Sequence, residues 1–204
     1  MKLYTTLTSP YGRIARMVII AKGLQERVPI EIAKTRQTDS PYYDINPSGR
    51  VPFLLLDDGP GLEESSLVSL YLDELDGAPT LHAPPGPEGL EARRIEAVAR
   101  SMLDGVSLWG REFLYRPAEL HSPRLLEHER ERAFRLLRVF ENAVDGDVLI
   151  GPLNMAQLTL AAIVCKPEGQ PPGFDWRDSH PRLAVWADRM SPLECVMGSA
   201  PPPA

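Results

Sequence analysis

Three short segments in the first third of the chain place hydroxyl, carboxylate and backbone groups where they could grip an anionic, peptide-like ligand. The first is Thr8-Ser9-Pro10-Tyr11. Serine suits the cap before a helix and proline suits the first helical position. The start of a helix carries unpaired N–H groups and a partial positive charge. A serine hydroxyl there can donate to an anion, and a thiolate there is stabilised as cysteine thiolates are at helix N-termini. The second is Arg50-Val51-Pro52-Phe53. An X-Pro bond entering a buried strand is a candidate for the cis form. That form would turn the Val51 backbone toward solvent, where its N–H and C=O could pair with an extended peptide as an added strand. The third is Glu64-Ser65-Ser66. Ser65 reads as a helix cap whose neighbouring N–H groups suit a carboxylate, while Glu64 can accept from an ammonium. Together they match the two charges of an α-amino-acid head. Each segment also has a plain structural use: helix capping for Ser9 and Ser65, and an ordinary strand-start proline for Pro52.

The elements that must position these groups can be read from periodicity. Residues 2–6 have strand composition, and Ile14, Met17, Val18 and Ala21 recur at helical spacing until Gly23 stops the helix. Residues 29–32 alternate as a strand, so 2–32 reads as a right-handed β-α-β unit. Residues 34–50 are turn-rich, with room for a short irregular helix. Phe53 to Leu56 reads as a buried strand turning through Asp57-Asp58-Gly59 into a further strand at Leu62. A helix follows, carrying Tyr71, Leu72 and Leu75. The stretch DGAPTLHAPPGPEG at 76–89 is rich in proline and glycine and reads as a linker.

Strand signals stop after the linker. Ile95, Val98, Met102, Val106, Trp109 and Phe113 mark a long helix; Leu126, Ala133, Leu137, Phe140 and Val144 mark a second. Leu158 to Cys165 and Leu183 to Met190 mark two more, giving a helical bundle. The expected division is 1–77 for an α/β unit, 78–85 for the linker and 86–204 for an all-helical unit. The SAPPPA ending reads as disordered.

The bulk numbers bound the function. With 204 residues, 43% hydrophobic and 25% charged, the chain can bury a real core without a metal or disulfide. A net charge of −6 argues against a nucleic-acid surface, so an anionic ligand must be held by local charge. Cys165 and Cys195 form no CxxC pair and no metal-ligand cluster with the four histidines, which reads as reduced thiols and no metal. The N-terminus lacks a basic-then-apolar leader, and no apolar run approaches a membrane span. A cytoplasmic protein with no membrane or nucleic-acid partner is expected.

The order and spacing of the motifs carry a resemblance. Ser9-Pro10-Tyr11, then NPSGRVP at 46–52, then LEES at 62–65 followed by LVSLYLDEL, resembles the glutathione transferase superfamily, with a bacterial look and a motif close to the Ser-type classes that read Ser-Pro-Phe. Phe174-Asp175-Trp176, His180-Pro181-Arg182-Leu183 and Trp186 to Met190 resemble its closing segment. At the start of its core helix the family usually shows a Ser/Thr-x-x-Asp box; here the place reads Asn154-Met155-Ala156-Gln157, which can still close a capping box.

The resemblance implies a thioredoxin-like N-terminal domain and an all-helical C-terminal domain, glutathione as co-substrate, a small hydrophobic electrophile as second substrate, and a homodimer. It implies that Ser9 donates to the glutathione sulfur as the catalytic group, with Tyr11 as runner-up donor. Val51, before a cis Pro52, would pair with the cysteinyl backbone, and Glu64 and Ser65 would hold the γ-glutamyl head. Arg50 is a candidate for the glycyl carboxylate. Arg13 and Arg36 are weaker candidates that read better as solvated surface charges. Met102, Trp109 and Phe113 are candidate walls for the electrophile, each also readable as core. The expected activity is conjugation; a glutathione-dependent isomerase, peroxidase or dehalogenase, or a non-catalytic binding protein of the same fold, are the alternatives.

Overall fold

The alternation at the N-terminus folds as a β-α-β unit. β1 (Lys2–Thr5) leads into α1 (Pro10–Ala21), and β2 (Ile30–Ile32) returns parallel to β1, with Leu3 opposite Ile30 and Thr5 opposite Ile32. β3 (Phe53–Leu55) lies antiparallel on the other side of β1, giving the order β2-β1-β3. The pleat sorts side chains by face. Tyr4, Phe53 and Leu55 pack with Tyr42, Tyr43 and Ile45 of α2 (Tyr42–Ile45). Leu3 and Leu54, paired in register and fully buried, serve the opposite face, where α1 packs against α3 (Ser65–Glu74). The expected strand at Leu62 shrinks to one bridge, Leu54 to Leu62, with reciprocal bonds of 2.9 and 2.8 Å. Only two residues separate Leu62 from α3, so there is no length for a ladder.

This computed structural model describes residues 1–77, 79–166 and 170–202, and the chain divides into two units. The first is Met1–His82 together with the segment that begins at Glu194; the second is Ala83–Leu193. In the second unit α4 (Leu90–Tyr115) packs on α5 (Pro123–Ala143) and on α7 (Met155–Val164). Every residue of α7 is buried, which makes it the centre of that unit. Asn154 and Gln157 form the capping box read from the sequence: the Asn154 side chain accepts from the Gln157 amide at 3.1 Å, and the Gln157 side chain accepts from the Asn154 amide at 3.2 Å. A short α6 (Asp147–Ile150) precedes it, and α8 (Pro181–Met190) follows. No helix among the described residues is long and apolar enough to cross a membrane.

Two expectations fail for one reason. The SAPPPA ending, whose residues 203–204 lie outside those described, is packed at its start: Ser199 is fully buried and its hydroxyl accepts from Arg13 Nε at 3.4 Å. Arg13 is 2% exposed rather than solvated, and its Nη2 donates to the Val196 carbonyl at 3.0 Å. A four-residue α9 (Glu194–Met197) packs on α1 and brings those acceptors to the guanidinium.

Candidate functional site

The sheet register brings the three N-terminal segments to one edge. α1 begins where β1 ends. β3 runs antiparallel to β1, with Phe53 opposite Tyr4, so Val51 and Pro52 lie at that same end. Leu62 runs antiparallel to β3, so Glu63, Glu64 and the start of α3 return there too.

Ser9 caps α1 as read. Its backbone is extended (φ −69°, ψ 120°), Pro10 takes the first helical position, and its Oγ accepts from the Gly12 amide at 3.1 Å. A hydroxyl that accepts through a lone pair keeps its hydrogen to donate elsewhere. Gly12 permits the close approach of α1 to β1, since a Cβ there would lie 1.9 Å from Thr5 Oγ1. The loop ahead of Ser9 is held by Arg16, whose Nη2 donates to the Leu7 carbonyl at 2.9 Å. Burial, reinforced by the neighbouring Arg13 charge, lowers the Arg16 guanidinium to about 10. Tyr11 sits half-buried in the first turn of α1.

The Val51–Pro52 bond is cis. Of the residues that brace it, Tyr42 was not singled out in the sequence, and Asn46, Ser48 and Glu63 were named only as parts of the NPSGRVP and LEES segments. The Arg50 carbonyl accepts from the Tyr42 hydroxyl and from Asn46 Nδ2, the latter at 3.1 Å. Asn46 Nδ2 also donates to Glu63 Oε2 at 3.1 Å, and Ser48 Oγ donates to the same oxygen. Asn46 Oδ1 accepts from the Ser48 amide at 3.1 Å, an Asx turn. Burial raises the pKa of the Tyr42 hydroxyl, keeping it a donor. The signals available were the Asn46-Pro47-Ser48-Gly49 turn composition and the place of Glu63 in the LEES segment; neither reveals the hydrogen bonds between them. The Arg50 side chain is exposed, as is Arg36.

One cap differs from the reading. α3 starts at Ser65, so Glu64 is the N-cap and Ser65 the first helical residue, 3% exposed. The first intrahelical bond runs from the Val68 amide to the Glu64 carbonyl at 2.9 Å, so the Ser66 and Leu67 amides lie ahead of the helix's own ladder.

The first unit matches the family model for the glutathione S-transferase N-terminal domain over residues 3–80. The whole chain is 28% identical to the uncharacterized GST-like protein YibF of Escherichia coli, covering 100% of both. A probable glutathione transferase of Aplysia californica is 34% identical over 76 residues, which span 37% of this chain and 79% of that relative. The chain belongs to the glutathione transferase superfamily. A crystal structure of a glutathione transferase family member from Pseudomonas fluorescens Pf-5, with bound glutathione, matches at a TM-score of 0.87 and 25% identity over 98% of each chain. The thioredoxin-like unit followed by a helical unit is therefore the transferase architecture.

The other residues named from the sequence belong to the helical unit or to the end of the chain. Met102 and Trp109 are 1% and 2% exposed in the core of the helical unit, Trp109 edge-on to Phe174. Phe113 is part-exposed and meets the His121 ring edge-on at 4.9 Å. Cys165 and Cys195 are buried and in no disulfide, and burial pushes the Cys195 thiol up. Among the described residues no three His, Cys, Asp or Glu side chains group as metal ligands.

Proposed function

We propose that this chain binds glutathione along the Ser9, Val51–Pro52 and Glu64–Ser65 segments, holds its sulfur as thiolate beside Ser9, and joins it to a small hydrophobic electrophile, working as a cytoplasmic homodimer. The observation that carries the reading is the Ser9 cap. Its Oγ accepts from the helix amide, which leaves its own hydrogen available to donate to a ligand. The solved relative with bound glutathione supports the same choice of ligand.

The magnitudes suffice. A free thiol with a pKa near 8.5 is only a few per cent ionised at pH 7, and each unit of lowering corresponds to about 1.4 kcal/mol. A charge-assisted hydrogen bond contributes roughly 1.5–3 kcal/mol, so Ser9 with the end of α1 lowers the bound thiol by about one to two units. The remaining catalysis is alignment of the electrophile with the sulfur. The sulfur attacks the electrophilic carbon, the leaving group departs with the displaced electron pair, and the thiol proton has already passed to solvent.

Conjugation of 1-chloro-2,4-dinitrobenzene tests the proposal. Ser9→Ala is expected to lower kcat/KM about 10- to 100-fold and to raise the pKa of bound glutathione, read from thiolate absorbance. An unchanged thiol pKa in that variant, with the loss appearing in Tyr11→Phe, would transfer the donor role to Tyr11. Glutathione binding without turnover on a panel of electrophiles would make the chain a binding protein.

A further inference from the structure

We propose that Tyr42 and Asn46 are positioning residues for the ligand backbone: by holding the Arg50 carbonyl from inside the unit, they aim the Val51 amide outward. The inference rests on the glutathione-binding reading of Val51. In a trans peptide group the C=O and N–H point in opposite directions from one plane, and the Arg50–Val51 bond is trans. The oxygen of that plane takes two donors, the Tyr42 hydroxyl and Asn46 Nδ2. Both donors belong to buried residues, Tyr42 4% and Asn46 2% exposed. With the oxygen fixed on the α2 side, the Val51 N–H on the other edge of the plane faces away from α2. A rotation of the plane would swing the amide inward and orphan two buried donors, which is unfavourable.

The clamp reaches a second contact point. Asn46 Nδ2 also donates to Glu63, and Ser48 Oγ holds the same carboxylate while accepting from the Arg50 amide at 3.2 Å. Glu63 immediately precedes Glu64, the cap of α3. One hydrogen-bonded unit thus sets the separation between the Val51 amide and the start of α3, the two places that would meet the cysteinyl and γ-glutamyl parts of one ligand. Such preorganisation lowers the ordering cost of binding.

The test uses the full chain and glutathione as probe. Tyr42→Phe keeps the ring and deletes one donor; Glu63→Ala frees Asn46 from an exposed position; Glu63→Gln keeps an acceptor. Tyr42→Phe is expected to weaken glutathione about fivefold by calorimetry and to raise KM for glutathione alike. Its kcat at saturating glutathione should stay at the wild-type value, and its melting temperature without ligand should fall by no more than about 2–5 °C, the cost of one lost hydrogen bond. Glu63→Ala is expected to follow it and Glu63→Gln to restore binding to within about twofold. The glutathione-induced shift of the Val51 amide resonance should shrink in the weakened variants. Wild-type affinity in both Tyr42→Phe and Glu63→Ala would overturn the inference, as would parallel losses in kcat, KM and stability. Failure of the wild-type chain to bind glutathione would overturn the parent reading and the inference together; binding by the wild type with indifferent variants overturns the inference alone.

Discussion

Asp73, in the last turn of α3, is fully buried and takes hydrogen bonds from the segment that leaves the first unit. It accepts from the Thr80 amide at 3.1 Å, the Leu81 amide at 3.0 Å and the His82 amide at 2.8 Å, and faces His82 Nδ1 at 3.0 Å. Lys22, from the end of α1, pairs with it at 3.2 Å and with Asp76 at 2.9 Å. Burial by itself would raise this carboxyl; the bonds from the His82 amide and ring, the Thr80 amide and Lys22 outweigh it and hold the group at about 2, against an ordinary value of 3.8. A native pKa below the unfolded one means stability that is present above the unfolded value and lost as pH falls through the native one. The difference corresponds to about 2 kcal/mol at neutral pH, of which about half is gone by pH 3. Asp73→Asn keeps the shape but turns an amide toward backbone donors and strips Lys22 of a buried partner. A loss of about 3 kcal/mol at pH 7 is expected, lowering Tm by about 6–12 °C for a chain of this size. Thermal and urea unfolding of both proteins from pH 7 to pH 3 measures this, and the gap between them should narrow by about 1 kcal/mol across that range. A gap below about 0.5 kcal/mol at pH 7, or one that does not narrow on acidification, would refute the assignment of that stability to the Asp73 charge.

Glu141 of α5 caps a helix it does not belong to, accepting from the Arg182 and Leu183 amides at 3.0 and 2.8 Å. Glu141→Ala should cost about 1–2 kcal/mol in urea melts, and Glu141→Gln less. Asn154→Ala removes the cap of α7 and donors to the Val148 and Pro152 carbonyls, with an expected loss of about 1–2 kcal/mol by the same measurement. Gly12→Ala would press a Cβ against Thr5 Oγ1 and should cost about 1–3 kcal/mol; adding Thr5→Ala should recover part of it, read as a rise in Tm over the single variant.

The helix caps, Ser9 of the candidate site among them, were legible because their signals are local. Ser9 and Asn154 cap the helices they precede, and a cap depends on residues three positions away. The stripes Ile95–Val106 and Leu183–Met190 give away their helices because a helix repeats every 3.6 residues whatever it packs against. The Leu62 strand was overread, since the composition of a turn does not reveal how soon α3 must begin.

The sequence by itself determined the order of the longer elements, the two kinds of unit and the three segments that carry polar chemistry. Only the tertiary structure decided which polar groups go inside. Arg13 meets Ser199 across 186 positions, Asp73 recruits three amides beyond its own helix, and Asn46 finds Glu63 through two turns. A buried charge or amide must be satisfied wherever a donor or acceptor lies in space. Periodicity reports neighbours along one element and carries no information about which distant loop arrives to meet it.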